Sequence, residues 1–111
     1  MKDDQVVTST LENIPGMDIE QHFGMVTASL IMVRSSIKKI IRGFKRLLGG
    51  EMSDENAEFQ RIKEQVIEDL RMQAKSLGAN AIVCLRVTIS SDASGLVEVL
   101  AYGTAVKAVK F

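Results

Sequence analysis

The chain changes from a helical to an extended pattern within one short stretch, Ala74-Lys75-Ser76-Leu77-Gly78-Ala79-Asn80-Ala81-Ile82-Val83. Gly78 follows the last residue of an apolar helical stripe, and glycine accepts the positive φ of a left-handed helix C-cap. The β-branched residues that begin at Ile82 favour a strand. We therefore predict that a helix ends at Gly78 and that a strand follows directly.

On the N-terminal side of Gly78, apolar residues recur every three or four positions and predict two helices. The longer helix runs from about Asp54 to Leu77, and Ser53 or Asp54 can cap its start. At 1.5 Å per residue this helix would be about 36 Å long, which is long for a small domain. The shorter helix spans residues 35–48 and ends at Gly49-Gly50. Its apolar stripe consists of Ile37, Ile40, Ile41, Phe44, Leu47 and Leu48.

Extended segments flank the two predicted helices. Residues 6–10 and 18–32 predict strands on either side of a turn signal, Asn13-Ile14-Pro15-Gly16. Residues 82–89 and 96–111 predict a hairpin around a polar loop. Alternation in the third strand places Val83, Leu85, Val87 and Ile89 on one face. In the second strand it places Ile19, Phe23 and Met25 on one face and Asp18, Glu20 and His22 on the other.

The order of these elements predicts one α+β domain over residues 1–111. We expect an antiparallel sheet with a helical pair on one side. Gly24 lies inside the second strand, where a glycine indicates a bulge or a close approach of another backbone. Gly103 interrupts the last strand, and we assign both glycines a structural role.

Composition limits the classes of protein that this chain can belong to. It has 111 residues, of which 46% are hydrophobic and 25% are charged, and its formal net charge is zero. This mixture is typical of a globular domain, and the charge balance gives no reason to expect nucleic acid as a partner. No apolar run predicts a secretory signal or an integral membrane segment. The single cysteine, Cys84, fits a reducing compartment, so we expect a cytoplasmic protein.

The charges are sorted along the chain although their sum is zero. The predicted helix over residues 35–48 is basic, whereas the start of the following helix is acidic. Its cations include Lys38, Lys39, Arg42, Lys45 and Arg46. Two interpretations are open: the helix packs through its apolar stripe with its cations solvated or paired, or it lies on an anionic membrane surface.

The chain has few residues that are candidates for metal binding or catalysis. A structural zinc site commonly uses four Cys or His ligands, and this chain has one of each. Asp18, Glu20 and His22 share a predicted strand face and form a candidate site for a weakly held divalent ion. Cys84 lies in an apolar strand, where a free cysteine behaves as a small hydrophobic residue. No nucleophile, phosphate-loop or metalloprotease motif occurs, so we predict no catalytic residue, no resident cofactor and no enzymatic activity.

Three segments together resemble the YbjQ-like family of small bacterial proteins: His22-Phe23-Gly24-Met25-Val26-Thr27, the stretch Ala74–Val83, and Tyr102-Gly103-Thr104-Ala105-Val106. The resemblance covers nearly the whole chain. It implies an α+β subunit like that of the dodecins, assembled as a ring of five, and no established enzyme activity. The family is labelled "putative heavy-metal-binding". Its members often have a cysteine where this chain has Phe23, which argues against a thiolate site at this position.

The sequence therefore predicts a self-assembling, non-enzymatic homopentamer whose partner is itself. Small domains bury proportionally less surface than large ones, so contacts between subunits should supply much of the stability. One alternative is a metal-binding protein whose sites form between subunits. Another is peripheral membrane association through residues 35–48.

Overall fold

A computed structural model of the chain describes residues 5–33 and 55–111. Its elements in chain order are β1 (Val7–Thr8), β2 (Met17–Val33), α1 (Glu55–Ser76), β3 (Ala81–Ser91) and β4 (Leu96–Lys110). The class is α+β, and α1 corresponds to the longer of the two predicted helices. The predicted basic helix over residues 35–48 lies outside the described residues.

The described strands form one sheet in the order β1-β3-β4-β2. Antiparallel pairing joins β4 to both β3 and β2, whereas β1 pairs with β3 in parallel. The prediction of an antiparallel sheet is therefore wrong for β1, and the sheet is mixed. Local sequence does not reveal this because a two-residue strand pairs in either direction, and long-range contacts decide which.

Helix α1 covers one face of the sheet, which we call the helix face. Ile62, Val66, Leu70 and Ala74 are spaced four residues apart and are buried. They share one apolar core with alternate residues of β4, namely Val97, Val99, Ala101 and Ala105. Because side chains alternate along a strand, the odd-numbered positions of β4 point to the helix face. The even-numbered positions point to the opposite face, which we call the far face.

A second, smaller core lies on the far face. Its buried members are Ile14, Ala81, Val83, Val106 and Ala108. Ile14 belongs to the loop between β1 and β2, so this loop covers one end of the far face. The sheet consequently has apolar side chains on both faces at that end.

The stretch Ala74–Val83 connects helix α1 to the sheet and contains the C-terminal cap of the helix. Gly78 has a φ of +92°. The N–H of Gly78 donates to the carbonyl of Lys75 at 3.0 Å, and the N–H of Ala79 donates to the carbonyl of Ala74 at 3.1 Å. These two bonds form a Schellman motif, which satisfies carbonyls at the end of α1.

Asn80 then anchors the start of β3 to β4. Its side-chain amide donates to the carbonyl of Ala108 at 2.8 Å, and its side-chain oxygen accepts from the N–H of Ala108 at 2.8 Å. The amide thus imitates one more residue of the strand ladder. The helix-to-strand change is therefore fixed at both ends by hydrogen bonds.

Bulges shift the side-chain alternation in β2 and β3. In β2 the register slips at Glu20 and again at Phe23, and Gly24 follows with a φ of +110°. In β3 the register slips between Val83 and Arg86, and Cys84 there has a φ of +55°. An extra residue in one strand moves every later side chain to the other face.

These slips correct two predictions. Val83 packs in the far-face core, whereas Leu85 and Val87 pack against the helix-face core, so the four residues of β3 do not share one face. Phe23 also packs against the helix-face core, whereas Met25 is exposed. The sequence pattern assumes an unbroken period of two, and the bulges break it.

Candidate functional site

One end of the far face is not covered by any described residue. It is built from residues 25–33 of β2, residues 96–104 of β4 and residues 86–91 of β3. The β1–β2 loop packs on the other end of the sheet, so it does not reach this surface. We call the apolar part of this surface the open face; its exposed members are Met25, Ile31, Val33, Leu96 and Tyr102.

Exposure on the open face is large for apolar side chains. Met25 is 74% exposed, Ile31 is 61% exposed and Val33 is 47% exposed. Leu96 pairs with Val33 across the β2–β4 ladder, and Tyr102 pairs with Thr27. Grouped exposed apolar residues of this kind mark interaction surfaces more often than scattered ones do.

Among the described residues, the outer edge of β2 has a hydrogen-bond partner at one position and none beyond it. The N–H of Thr27 donates to Oε1 of Gln73 at 3.0 Å, and Nε2 of Gln73 donates to the carbonyl of Thr27 at 3.1 Å. The backbone groups of Thr27 thus point away from β4. Since successive residues of a strand point their N–H and C=O to opposite sides, those of Ser29, Ile31 and Val33 also point outward.

The outer edge of β3 shows the same change along its length. Residues 7–11 cover its first part: the N–H of Ser9 donates to the carbonyl of Ile82 at 2.8 Å, and the N–H of Leu85 donates to the carbonyl of Ser9 at 3.0 Å. Nη1 of Arg86 then donates to the carbonyl of Thr10 at 2.7 Å. Beyond this point, alternation from Leu85 directs the backbone groups of Val87, Ile89 and Ser91 outward. Among the described residues, none pairs with these groups or with those of Ser29, Ile31 and Val33.

The two open edges lie at the same height in the sheet. Leu100 of the central strand pairs with Ser29 on one side and with Thr88 on the other. Glu98 likewise lies between Ile31 and Ser90. We call residues 29–33 the β2 edge and residues 86–91 the β3 edge.

The three predicted metal ligands are not brought together. Asp18 pairs with Val109, an odd position of β4 on the helix face, whereas His22 pairs with Val106 on the far face. Glu20 is the extra residue of a bulge between them. Within residues 5–33 and 55–111, no group of three or more His, Cys, Asp or Glu side chains is placed to hold a metal ion. The prediction that these three residues share a strand face is therefore wrong, because the bulge shifts the alternation.

Cys84 lies at the bulge of β3 rather than in a regular strand. Its side chain is partly buried and packs against the far-face core. Its N–H donates to the carbonyl of Leu11 at 2.8 Å. This environment is that of a small hydrophobic residue.

The hairpin between β3 and β4 is held by one carboxylate. Oδ1 of Asp92 accepts from the hydroxyl of Ser94 at 2.6 Å and from the N–H of Leu96 at 3.0 Å. The hydrogen bond from the Ser94 side chain, with smaller contributions from backbone N–H groups, lowers the pKa of Asp92 below its ordinary 3.8. The carboxylate fixes the turn that leads into the open end of the sheet.

The open end of the sheet was not predicted as a site from the sequence. The sequence does contain a feature typical of an exposed pairing surface, because no charged side chain occurs from Phe23 to Val33. A long edge strand normally carries charges or proline that discourage pairing with another chain. Only the sheet order shows that β2 is an edge strand.

In the part of the chain that the structure describes, these features define an α+β protein whose four-stranded sheet bears a helix on one face and an exposed apolar end on the other. The family model described as "Putative heavy-metal-binding" matches residues 6–109 of this chain. The chain belongs to this family, the YbjQ family.

Its relatives are small bacterial proteins that carry the family name UPF0145. One from Clostridium perfringens is 40% identical over 97 residues, covering 87% of this chain and 92% of the relative. One from Hahella chejuensis is 33% identical over 101 residues, covering 91% and 97%. One from Thermotoga maritima is 32% identical over 105 residues, covering 95% and 99%.

A solved structure shares the fold. It is a protein of unknown function of the DUF74 family from Pediococcus pentosaceus, with a TM-score of 0.53 and 18% identity. The match covers 92% of this chain and 96% of that one. Within the described parts of this chain, no helix has the length and apolar character needed to cross a membrane.

Proposed function

We propose that this chain is a non-enzymatic, self-assembling protein that works as a ring of five identical subunits. The observation that carries the proposal is the open face, where Met25, Ile31 and Val33 expose large apolar surfaces on one strand. Fully burying a side chain of this size contributes about 1.5–3 kcal/mol. Covering these three on each subunit would supply stabilisation on the order of several kcal/mol per interface.

The edge strand supports the same proposal. β2 has 17 residues, and its last part carries neither charge nor proline. Such an edge exposes unpaired N–H and C=O groups next to apolar side chains, which favours pairing with another strand. A second copy of the chain can supply this pairing strand, because identical copies are present together wherever the protein is made.

The residues of the described structure favour binding over catalysis. The one histidine, His22, is exposed and lies on the far face away from Asp18. No described constellation combines a nucleophile with a base that orients it. We therefore include no reaction in the proposed function, and the absence of an activity and the cytoplasmic location both stay predictions.

The family description keeps one alternative open, a metal-binding protein whose sites form between subunits. A ring brings copies of one side chain together around its axis, so ligands absent from a single chain can be assembled by symmetry. Membrane association through residues 35–48 remains a separate alternative that lies outside the described residues.

Native mass spectrometry and sedimentation velocity at micromolar concentration test the proposal. We expect the wild type to have the mass of five chains, and Ile31→Lys to be a folded monomer because a charge replaces an apolar contact. Met72→Lys is the matched control, since Met72 is 63% exposed on α1 rather than on the open face. It should remain pentameric.

A monomeric wild type would overturn the proposal. The same spectra, recorded from a zinc-containing buffer, show whether an ion is bound. A stoichiometric ion lost in His22→Ala but kept in Cys84→Ala would favour the alternative of metal sites between subunits.

A further inference from the structure

Residues 6–13 cross the outer edge of β3 and are held there by one buried side chain. We call these residues the strap. Val6 is buried in the helix-face core, whereas every other strap residue is exposed or half-buried. Ile14, which follows the strap, is buried in the far-face core. The strap therefore passes around the edge from one face of the sheet to the other, between Val6 and a fixed end at Ile14.

We propose that the strap detaches from β3 while the rest of the domain stays folded, and that the edge it uncovers is a docking edge for an extended, uncharged peptide. The strap is then an autoinhibitory contact, because it occupies the backbone groups that the peptide needs. This inference goes beyond the proposed assembly and does not depend on it.

Backbone hydrogen bonds make up most of the contact between the strap and β3. The N–H of Val7 donates to the carbonyl of Asn80 at 3.1 Å, and the N–H of Cys84 donates to the carbonyl of Leu11 at 2.8 Å. Two bonds of Ser9 lie between them. A segment that buries few apolar side chains and holds on through exposed hydrogen bonds opens at a lower free energy than the core does. The strap, with one buried side chain, is such a segment.

Release of the strap lengthens the free edge of β3. The outward backbone groups of Val87, Ile89 and Ser91 already lack a partner among the described residues. Release adds the groups that the strap now bonds, from Ile82 to Leu85. The result is one long row of unpaired N–H and C=O groups, which favours pairing with another extended segment.

The strap itself shows which partner this edge fits. It runs parallel to β3, with Val7 opposite Ala81 and Thr8 opposite Ile82. Residues 6–11 carry no charge, and Val6 places a branched aliphatic side chain in the core. The partner is accordingly an uncharged segment that runs parallel to β3 and fills the position of Val6. Strand addition of this kind obtains affinity from backbone hydrogen bonds and specificity from side-chain pockets.

Hydrogen exchange at individual amides tests the release in the wild-type protein. The N–H groups of Cys84 and Leu85, the β3 pair, donate to strap carbonyls, so they exchange when the strap leaves. The N–H groups of Val99 and Ala101, the β4 pair, lie in a strand that is paired on both sides. We expect one common protection factor for the β3 pair, about tenfold or more below that of the β4 pair. Equal protection of both pairs would overturn the proposed release.

Three variants separate release of the strap from unfolding of the domain. Ile62→Val weakens the core near the start of α1, so it should lower the protection of the β4 pair several-fold and leave the β3 pair unchanged. Val6→Ala should lower the protection of the β3 pair on the order of tenfold. Val7→Ala is its matched control, because Val7 is 44% exposed, and should have no effect. If Ile62→Val lowered both pairs equally, the strap would leave only when the domain unfolds.

A labelled synthetic peptide of residues 5–13 tests the docking edge. Val6→Asp in the full chain should expel the strap, because an unpaired carboxylate is not tolerated in an apolar core. We expect fluorescence anisotropy to show the peptide bound to this variant. Binding to the wild type should be about a hundredfold weaker or less, because an attached strap competes at a high effective concentration.

The peptide with Val6→Asp is the matched control and should bind neither chain. Where circular dichroism shows that the full-chain Val6→Asp variant is unfolded, Val6→Ala takes its place with the same expectation. A folded variant that does not bind the wild-type peptide would overturn the docking edge. Equal binding of both peptides would also overturn it, because recognition would not use the position of Val6.

Discussion

Substituting Gly103 by alanine should destabilise the protein through a steric conflict between β4 and the bulge of β3. A Cβ atom at this position would lie 2.6 Å from Cγ2 of Ile82, 3.1 Å from the carbonyl oxygen of Val83 and 3.4 Å from Cα of Leu85. Carbon atoms in contact normally lie about 3.5–4.0 Å apart. The methyl group therefore fits only if β3 or Ile82 moves by roughly 1 Å.

The surroundings leave little room for that movement. Ile82 is fully buried, and its Cγ2 is attached directly to Cβ rather than lying at the end of a flexible chain. Inserting an extra methyl group into a well-packed core typically costs about 1–3 kcal/mol. Since the nearest contact is severe and the next is to backbone, we expect about 2 kcal/mol for Gly103→Ala.

Urea denaturation at one fixed chain concentration measures this cost. Ile82→Leu removes Cγ2 at similar volume and should itself cost less than about 1.5 kcal/mol. In combination with Gly103→Ala it should relieve the conflict, so that the double variant is more stable than the sum of the single effects by about 1 kcal/mol or more.

Gly95→Ala is the control for backbone conformation. Gly95 has a φ of +89°, and no atom lies within 4 Å of the position that a Cβ would take. Its substitution should cost about 1 kcal/mol through strain alone and should be additive with Ile82→Leu. If Gly103→Ala were as stable as the wild type, or if its cost were unchanged by Ile82→Leu, the steric reasoning would be wrong.

Three further predictions concern the helix cap, the cysteine and the hairpin. Gly78→Val should lower the free energy of unfolding by about 1 kcal/mol or more, because a β-branched residue is strained at a φ of +92°; an unchanged urea midpoint would contradict the cap. Cys84→Ala should cost about 1 kcal/mol or less through lost packing and should leave zinc affinity unchanged in calorimetry; tight binding abolished by this change alone would contradict the hydrophobic role. Asp92→Ala should lower the melting temperature at pH 7, since a lowered pKa in the fold contributes stability above the ordinary pKa of 3.8. That contribution is lost as the pH falls through the lowered pKa. If the melting temperatures of the wild type and Asp92→Ala differed by the same amount at a pH far below that pKa, the assignment would be wrong.

The candidate site was less predictable from the sequence than the fold. Asp18, Glu20 and His22 were assigned to one face because the period of two was extrapolated through a strand that bulges at Glu20. A bulge leaves no reliable mark in a single sequence, apart from a glycine such as Gly24. The uncharged run of β2 was interpreted as an ordinary strand, because nothing local distinguishes an edge strand from a central one.

Local physical chemistry determined the elements themselves. The apolar spacing of Ile62, Val66, Leu70 and Ala74 produces a helix with one buried stripe in any compact fold, and Gly78 ends that helix because other residues are strained in the left-handed region. These features depend on near neighbours in the chain, so the sequence alone was sufficient for them.

The tertiary structure decided how the strands are arranged and what remains exposed. It placed β1 in parallel beside β3 and put β2 at the opposite edge of the sheet. At one end of the sheet, neither edge is paired by any other residue within 5–33 and 55–111. Those outcomes depend on pairings between residues far apart in the chain, such as Thr27 with Gln73, whose energies are not encoded in any local pattern. The surface proposed for assembly exists only because those long-range pairings bring Ser29, Leu100 and Thr88 into one row of the sheet.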